Sequence, residues 1–151
     1  MGNSRMVSPV WYNIRRTGEG KYELGGEHDV DVNWMKEVRG KDSRGEIVGR
    51  ILPRFSVEQW DKNAYQELAE NVEAAKALIK LIVEQVTYRP LLYWTNERKY
   101  EFDGIVMEIA IPHYFQEYIT LLADAIHAIP GNKRLVVVIP PHIHGYPSAE
   151  V

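Results

Sequence analysis

Apolar residues along this chain recur in two rhythms that alternate. Short runs rich in β-branched and aromatic residues predict strands. The first is Val7–Ile14 (VSPVWYNI), followed by the turn-like TGEG at 17–20, and the second spans 47–53 (IVGRILP). Pro53 suits the end of that strand better than its middle. Phe102–Ala110 (FDGIVMEIA) is a third run, set off by an Asp-Gly turn, and 135–141 (LVVVIPP) a fourth. Between them lie helical spacings. Asp29 or Asp31 would cap a short helix through Trp34, Met35 and Val38 that ends at Gly40. From Asn63 to Val86, the residues Tyr65, Leu68, Val72, Ala75, Ile79, Ile82 and Val86 recur at intervals of 3, 4, 3, 4, 3 and 4. A coiled coil shares this spacing, but the strand-like flanks favour a helix that covers a sheet. A further helix opens at Pro112, carries Phe115, Tyr118, Leu122, Ala125 and Ile129, and stops at Pro130-Gly131. The order β-α-β-α-β-α-β predicts an α/β fold with a parallel sheet of about four strands and right-handed crossover helices. LVVVIPP has no polar alternation, as expected of a strand buried on both faces. Residues 89–101 (RPLLYWTNERKYE) keep no period.

Composition narrows the function. The 151 residues are 45% hydrophobic, enough for one core, and make one domain or a piece of a larger one. Eighteen basic against 21 acidic side chains leave a net charge of −3. That excludes a nucleic-acid binder working through a large positive field and gives no attraction to an anionic membrane. With no cysteine, disulfides, zinc-thiolate sites and thiol nucleophiles are excluded. No window approaches 18 consecutive apolar residues, so no bilayer span is expected. MGNSRMVSPVW lacks the apolar centre of a secretory signal, and Met6 breaks the myristoylation pattern.

FDGIVMEI resembles the fourth-strand motif of glycoside hydrolase family 18, the chitinase family, whose pattern is Asp-x-x-Asp-x-Asp-x-Glu. VSPVW at 7–11, HDVD with WM and VR across 28–39, ILPR at 51–54 with EQW at 58–60, and LVVVIPP at 135–141 support the likeness in the same order. The resemblance implies a (β/α)8 TIM barrel. Such a barrel takes about 250 residues, so this chain would hold a partial barrel, roughly strands 2 to 5. Residues 89–101 have no counterpart in the family and read as an insertion. The resemblance also implies a secreted or lysosomal protein that binds chitin-type oligosaccharides, with a possible innate-immune role, recognition by a scavenger-type receptor, and no cofactor.

In such a chitinase one carboxylic acid protonates the leaving oxygen while the substrate's acetamide attacks. The four motif positions fall on Asp103, Val106, Glu108 and Ala110, so the position of the catalytic glutamate is Ala110, which has no proton to give. Val106, Glu108 and Ala110 share one strand face, with Glu108 about 6.6 Å from the missing acid, two rises of about 3.3 Å. A lone carboxylate in an apolar strand resists ionisation, which would suit a proton donor. A buried, hydrogen-bonded glutamate or a groove-lining one is the plainer reading of Glu108. Sugar binding needs aromatic faces and a few polar groups. Trp11, Tyr12, Trp60 and Tyr114 lie at or just past predicted strand ends and are candidate platforms, with Asp103 and Glu108 as polar partners. Trp34 and Tyr65 belong to helical stripes and read as packing. His113, His142 and His144 lack the carboxylate spacing of a zinc site, so no metal is expected. The expectation is a catalytically silent chitinase-like sugar binder. The alternatives are a glycosidase using Glu108 and a nonenzymatic fragment that pairs with another protein.

Overall fold

The computed structural model describes residues 5–40, 43–46, 49–87 and 100–140. The strands are β1 (Arg5–Val7), β2 (Tyr12–Gly18), β3 (Lys21–Gly25), β4 (Gly49–Ile51), β5 (Arg54–Val57), β6 (Gly104–Glu108) and β7 (Arg134–Val138). The helices are α1 (Val32–Val38), α2 (Lys62–Glu70), α3 (Val72–Val86) and α4 (Gln116–His127). A five-stranded sheet has the order β3-β2-β5-β6-β7, with every pairing parallel except the β2–β3 hairpin. β1 and β4 form a parallel pair, and Leu52 N donates to Val7 O and Arg54 N to Pro9 O, so that ladder runs on into the larger sheet. The expected α/β class with a mostly parallel sheet is what the chain adopts.

Register assigns each face. Tyr12 stands opposite Phe55, Phe55 opposite Met107, and Met107 opposite Val137, a continuous row across four strands. The row faces the helices: the Tyr12 hydroxyl donates to Gln85 Oε1 on α3 (2.9 Å), and the Tyr118 hydroxyl on α4 to Met107 Sδ (3.5 Å). Tyr12 and Phe55 stack with centroids 4.5 Å apart. Burial of this row against Leu78, Ile82, Leu122 and Ile126 makes the core, since apolar area removed from water is the main favourable term in folding. Side chains alternate along strands, so the other face carries Asn13, Arg15, Arg54, Ser56, Val106, Glu108, Val136 and Val138.

Several boundaries differ from the sequence pattern for local reasons. The stripe at 63–86 is two helices, because Asn71 leaves helical geometry (φ −107°, ψ 106°) and its side chain accepts from Glu73 N and Ala74 N to cap α3. Pairing continues past Pro53: its carbonyl accepts from Val106 N (3.0 Å), and the strand resumes as β5. The residues after Pro112 form turns, and α4 begins only at Gln116. Asp31, not Asp29, caps α1. β3 went unforeseen: Gly20 turns the chain at φ +64°, and Lys21–Gly25 folds back on β2. Of the expected insertion, residues 89–99 lie outside the described residues, whereas Tyr100 is buried and stacks on Phe102 at 5.5 Å. Pro141, His142 and His144 also lie outside the described residues.

Candidate functional site

In parallel α/β sheets ligands settle beyond the carboxyl ends of the strands. At that edge the segments after β5, β6 and β7 meet α2 and the start of α4, and enclose two adjoining cavities. The larger, about 700 Å³, lies between Lys62, Tyr65 and Gln66 of α2 and Ala110, Ile111, Tyr114 and Phe115 beyond β6. The smaller, about 150 Å³, is bounded by Trp60, Leu68, Glu108 and Pro140 among others. Tyr65, Ala110 and Phe115 line both.

A chain of rings runs along the cleft: Trp60, Tyr65, Phe115 and Tyr114 line it, and Tyr22 packs behind Trp60. Centroid separations are 5.7 Å for Tyr22–Trp60, 5.5 Å for Trp60–Tyr65, 6.1 Å for Tyr65–Phe115 and 5.1 Å for Phe115–Tyr114. Trp60 Nε1 donates to Ile14 O (2.8 Å), which fixes the indole beside β2 where its pairing with β5 ends. The β2–β3 hairpin is fastened from below. Glu67 on α2 accepts from Arg16 Nε (3.1 Å) and Nη2 (3.0 Å), Gly20 N (2.9 Å) and the Tyr22 hydroxyl (3.2 Å). The hydrogen bonds from Arg16, helped by Gly20 N–H and opposed by burial, hold the Glu67 carboxyl below its ordinary range. Burial, reinforced by neighbouring Glu67, pushes the Tyr22 phenol up, so it stays a donor. Burial also pushes up the Tyr65 phenol.

Of the residues singled out from sequence, Trp60, Tyr114 and Glu108 reach this cleft. Tyr114 is the most open ring, 44% exposed. The other three are held elsewhere. Tyr12 is buried in the helix-covered core, with one ring face against Phe55, and presents no platform. Trp11 packs edge-on against Trp34 (5.5 Å) and beside Phe102 (6.0 Å), and Gly26 passes so close to its carbonyl that a Cβ there would collide. Asp103 sits at the opposite end of β6 from Glu108, about 16 Å away for five rises. Its Oδ2 accepts from Ile51 N (2.8 Å), with Arg39 Nη2 3.9 Å away, so it ties β4 and the segment after α1 to β6.

Glu108 is not the lone carboxylate its apolar strand implied. Arg54 on β5 stands opposite Val106, and its Nη1 lies 3.6 Å from Glu108 Oε1. Sequence reasoning also passed over Tyr65, Phe115, Lys62 and Gln66. Tyr65 was absorbed into the helical stripe, although it lies on the first turn of a helix that starts at the strand's carboxyl end. His113 is exposed, and among the described residues no group of acidic, histidine or cysteine side chains could hold a metal ion. No helix among the described residues is long and apolar enough to cross a membrane. No protein-family model matches the chain.

Proposed function

We propose that the chain is a partial (β/α)8 barrel that binds an oligosaccharide at the carboxyl edge of its sheet without hydrolysing it. The sequential parallel order β2-β5-β6-β7 is that of adjacent barrel strands, which supports the resemblance to glycoside hydrolase family 18. The observation that carries the reading is the position of Ala110. It lines both cavities, between aromatic walls, at the place where the family motif would put its acid. Rings with exposed faces stack on the C–H surface of a pyranose, while a methyl group at the centre leaves the glycosidic oxygen unprotonated. The nearest strand carboxylate on the cleft side, Glu108, faces Arg54, which supports a structural role over that of a proton donor. The secreted or lysosomal setting and the scavenger-type receptor rest on the resemblance alone.

Calorimetric titration with N-acetylglucosamine oligomers tests this. Saturable binding, weakened at least fivefold in Tyr114→Ala and unaccompanied by cleavage, is the expected result. Cleavage that disappears in Glu108→Gln would replace this reading with a glycosidase. A folded chain that binds no sugar and instead self-associates would favour the interaction fragment.

A further inference from the structure

We infer that the cleft prefers an acidic oligosaccharide, with the carboxylate of a uronic-acid unit held by Lys62 while a neighbouring ring stacks on Tyr114. This rests on the sugar-binding reading above and names the substrate class within it. Among the described residues Lys62 is the one charged side chain that lines the larger cavity; the rest of that lining is aromatic, aliphatic or, at Gln66, a neutral amide. Arg15, Arg16, Arg39 and Arg54 each lie within 4 Å of a carboxylate, whereas Lys62 makes no ion pair among the described residues. The smaller cavity does contain a carboxylate, Glu108, but Arg54 stands against it, so the two charges there offset each other.

The position of Lys62 is a second and independent observation. It is the first residue of α2, where the positive end of the helix dipole disfavours a cation; the acid that offsets that end is the cap residue Asp61, and the first turn itself holds none. Helix stability would place an acid there. Asp61 already caps the helix by accepting from Ala64 N (2.8 Å), so the lysine adds nothing to the cap. An ammonium held at an unfavourable position, unpaired, beside an apolar cleft is accounted for by an anion arriving in that cleft. The chain's net charge of −3 does not draw anions from a distance, so the preference acts in the bound state and shows in the off-rate.

The test uses the full chain and two tetrasaccharide probes. One is the neutral tetramer of N-acetylglucosamine; the other alternates N-acetylglucosamine with glucuronic acid. At low salt the acidic probe is expected to bind about tenfold tighter, the scale of one charge-assisted hydrogen bond, with the margin shrinking as salt is raised. Lys62→Gln should erase the margin between the two probes, while Tyr114→Ala should weaken both. Equal affinity for the two probes, or a margin that survives Lys62→Gln, overturns the inference and leaves sugar binding standing. A folded chain that binds neither probe overturns both.

Discussion

Glu67 fastens the β2–β3 hairpin to α2, and its replacement by glutamine measures how much the fold and the cleft depend on that joint. The carboxylate accepts four hydrogen bonds, two of them from the guanidinium of Arg16. Glutamine keeps one oxygen for Gly20 N–H or the Tyr22 hydroxyl, but turns an NH2 toward Arg16, donor against donor. The Glu67 side chain is only 10% exposed, so water replaces little of what its carboxylate loses. Discounted for the partial exposure of its partner, the loss is about 2 kcal/mol. For a chain of this size that is a fall of about 4–8 °C in Tm. The pH dependence is more diagnostic. The carboxyl's folded pKa lies below its ordinary value of 4.5, so the stabilisation is in place above that value and is lost as pH falls through and below it. Urea unfolding of the two proteins at pH 7 and pH 3 should therefore show a gap at pH 7 that narrows at pH 3. A gap below about 0.5 kcal/mol at pH 7, the ordinary range for surface substitutions, would refute the argument. So would a gap that is unchanged at pH 3.

Three further outcomes follow from the same structure. Burial, with Tyr100 and Glu27 adding to it, pushes the Tyr12 phenol up, and burial alone dominates at Tyr118, as it does at Tyr22 and Tyr65. Raised folded pKa values contribute stability below the ordinary phenol value of 10.0 that is lost above it; ultraviolet titration should thus show these phenols ionising only as the chain unfolds, and four extra phenols titrating reversibly at pH 10 would contradict this. Gly104→Ala should destabilise by about 1–3 kcal/mol, because φ is +147° and a Cβ would run into the Arg134 backbone; thermal melting within 1 °C of the parent would sink it. Arg54→Met should cost about 1–3 kcal/mol by stranding Glu108, and the Arg54→Met/Glu108→Gln double variant should recover part of that loss; additive losses in chemical unfolding would show that the pair is uncoupled.

The fold was legible wherever a single rhythm decided it. The stripe from Tyr65 to Val86 buries one face, although Asn71 divides it into two helices. The LVVVIPP run does form a strand, although one ended at Val138 and half-buried apart from Val137 rather than buried on both faces. Boundaries were less legible, because they hang on single side chains: an asparagine that caps at 71, a proline at 53 whose carbonyl still pairs. The hairpin did have a signal, since Tyr22 and Leu24 alternate with exposed Lys21 and Glu23, but five residues are too few for period 2 to stand out. The cleft was half legible. Trp60 and Tyr114 could be placed because strand ends predict where loops gather. Asp103 could not, because a motif gives spacing along one strand, and its hydrogen bond to Ile51 depends on how two strands align.

The Arg54–Glu108 pair shows why register matters to the functional argument as well. From β6 alone, Glu108 is a carboxylate among apolar neighbours and a plausible acid. Parallel alignment sets Arg54 of β5 beside Val106, and a side chain of arginine's reach then meets Glu108 two residues further on. The carboxylate thus has a cation beside it, across one strand spacing of about 4.8 Å. Ala110, beyond the end of the strand, has no such neighbour and needs none. The edge of the sheet thus keeps its rings and its volume, while its strand carboxylate is drawn into the sheet's own electrostatics. Under the function proposed above, that combination is what a binding cleft needs, and it leaves Lys62 as the charge in the larger cavity still unpaired within the described fold.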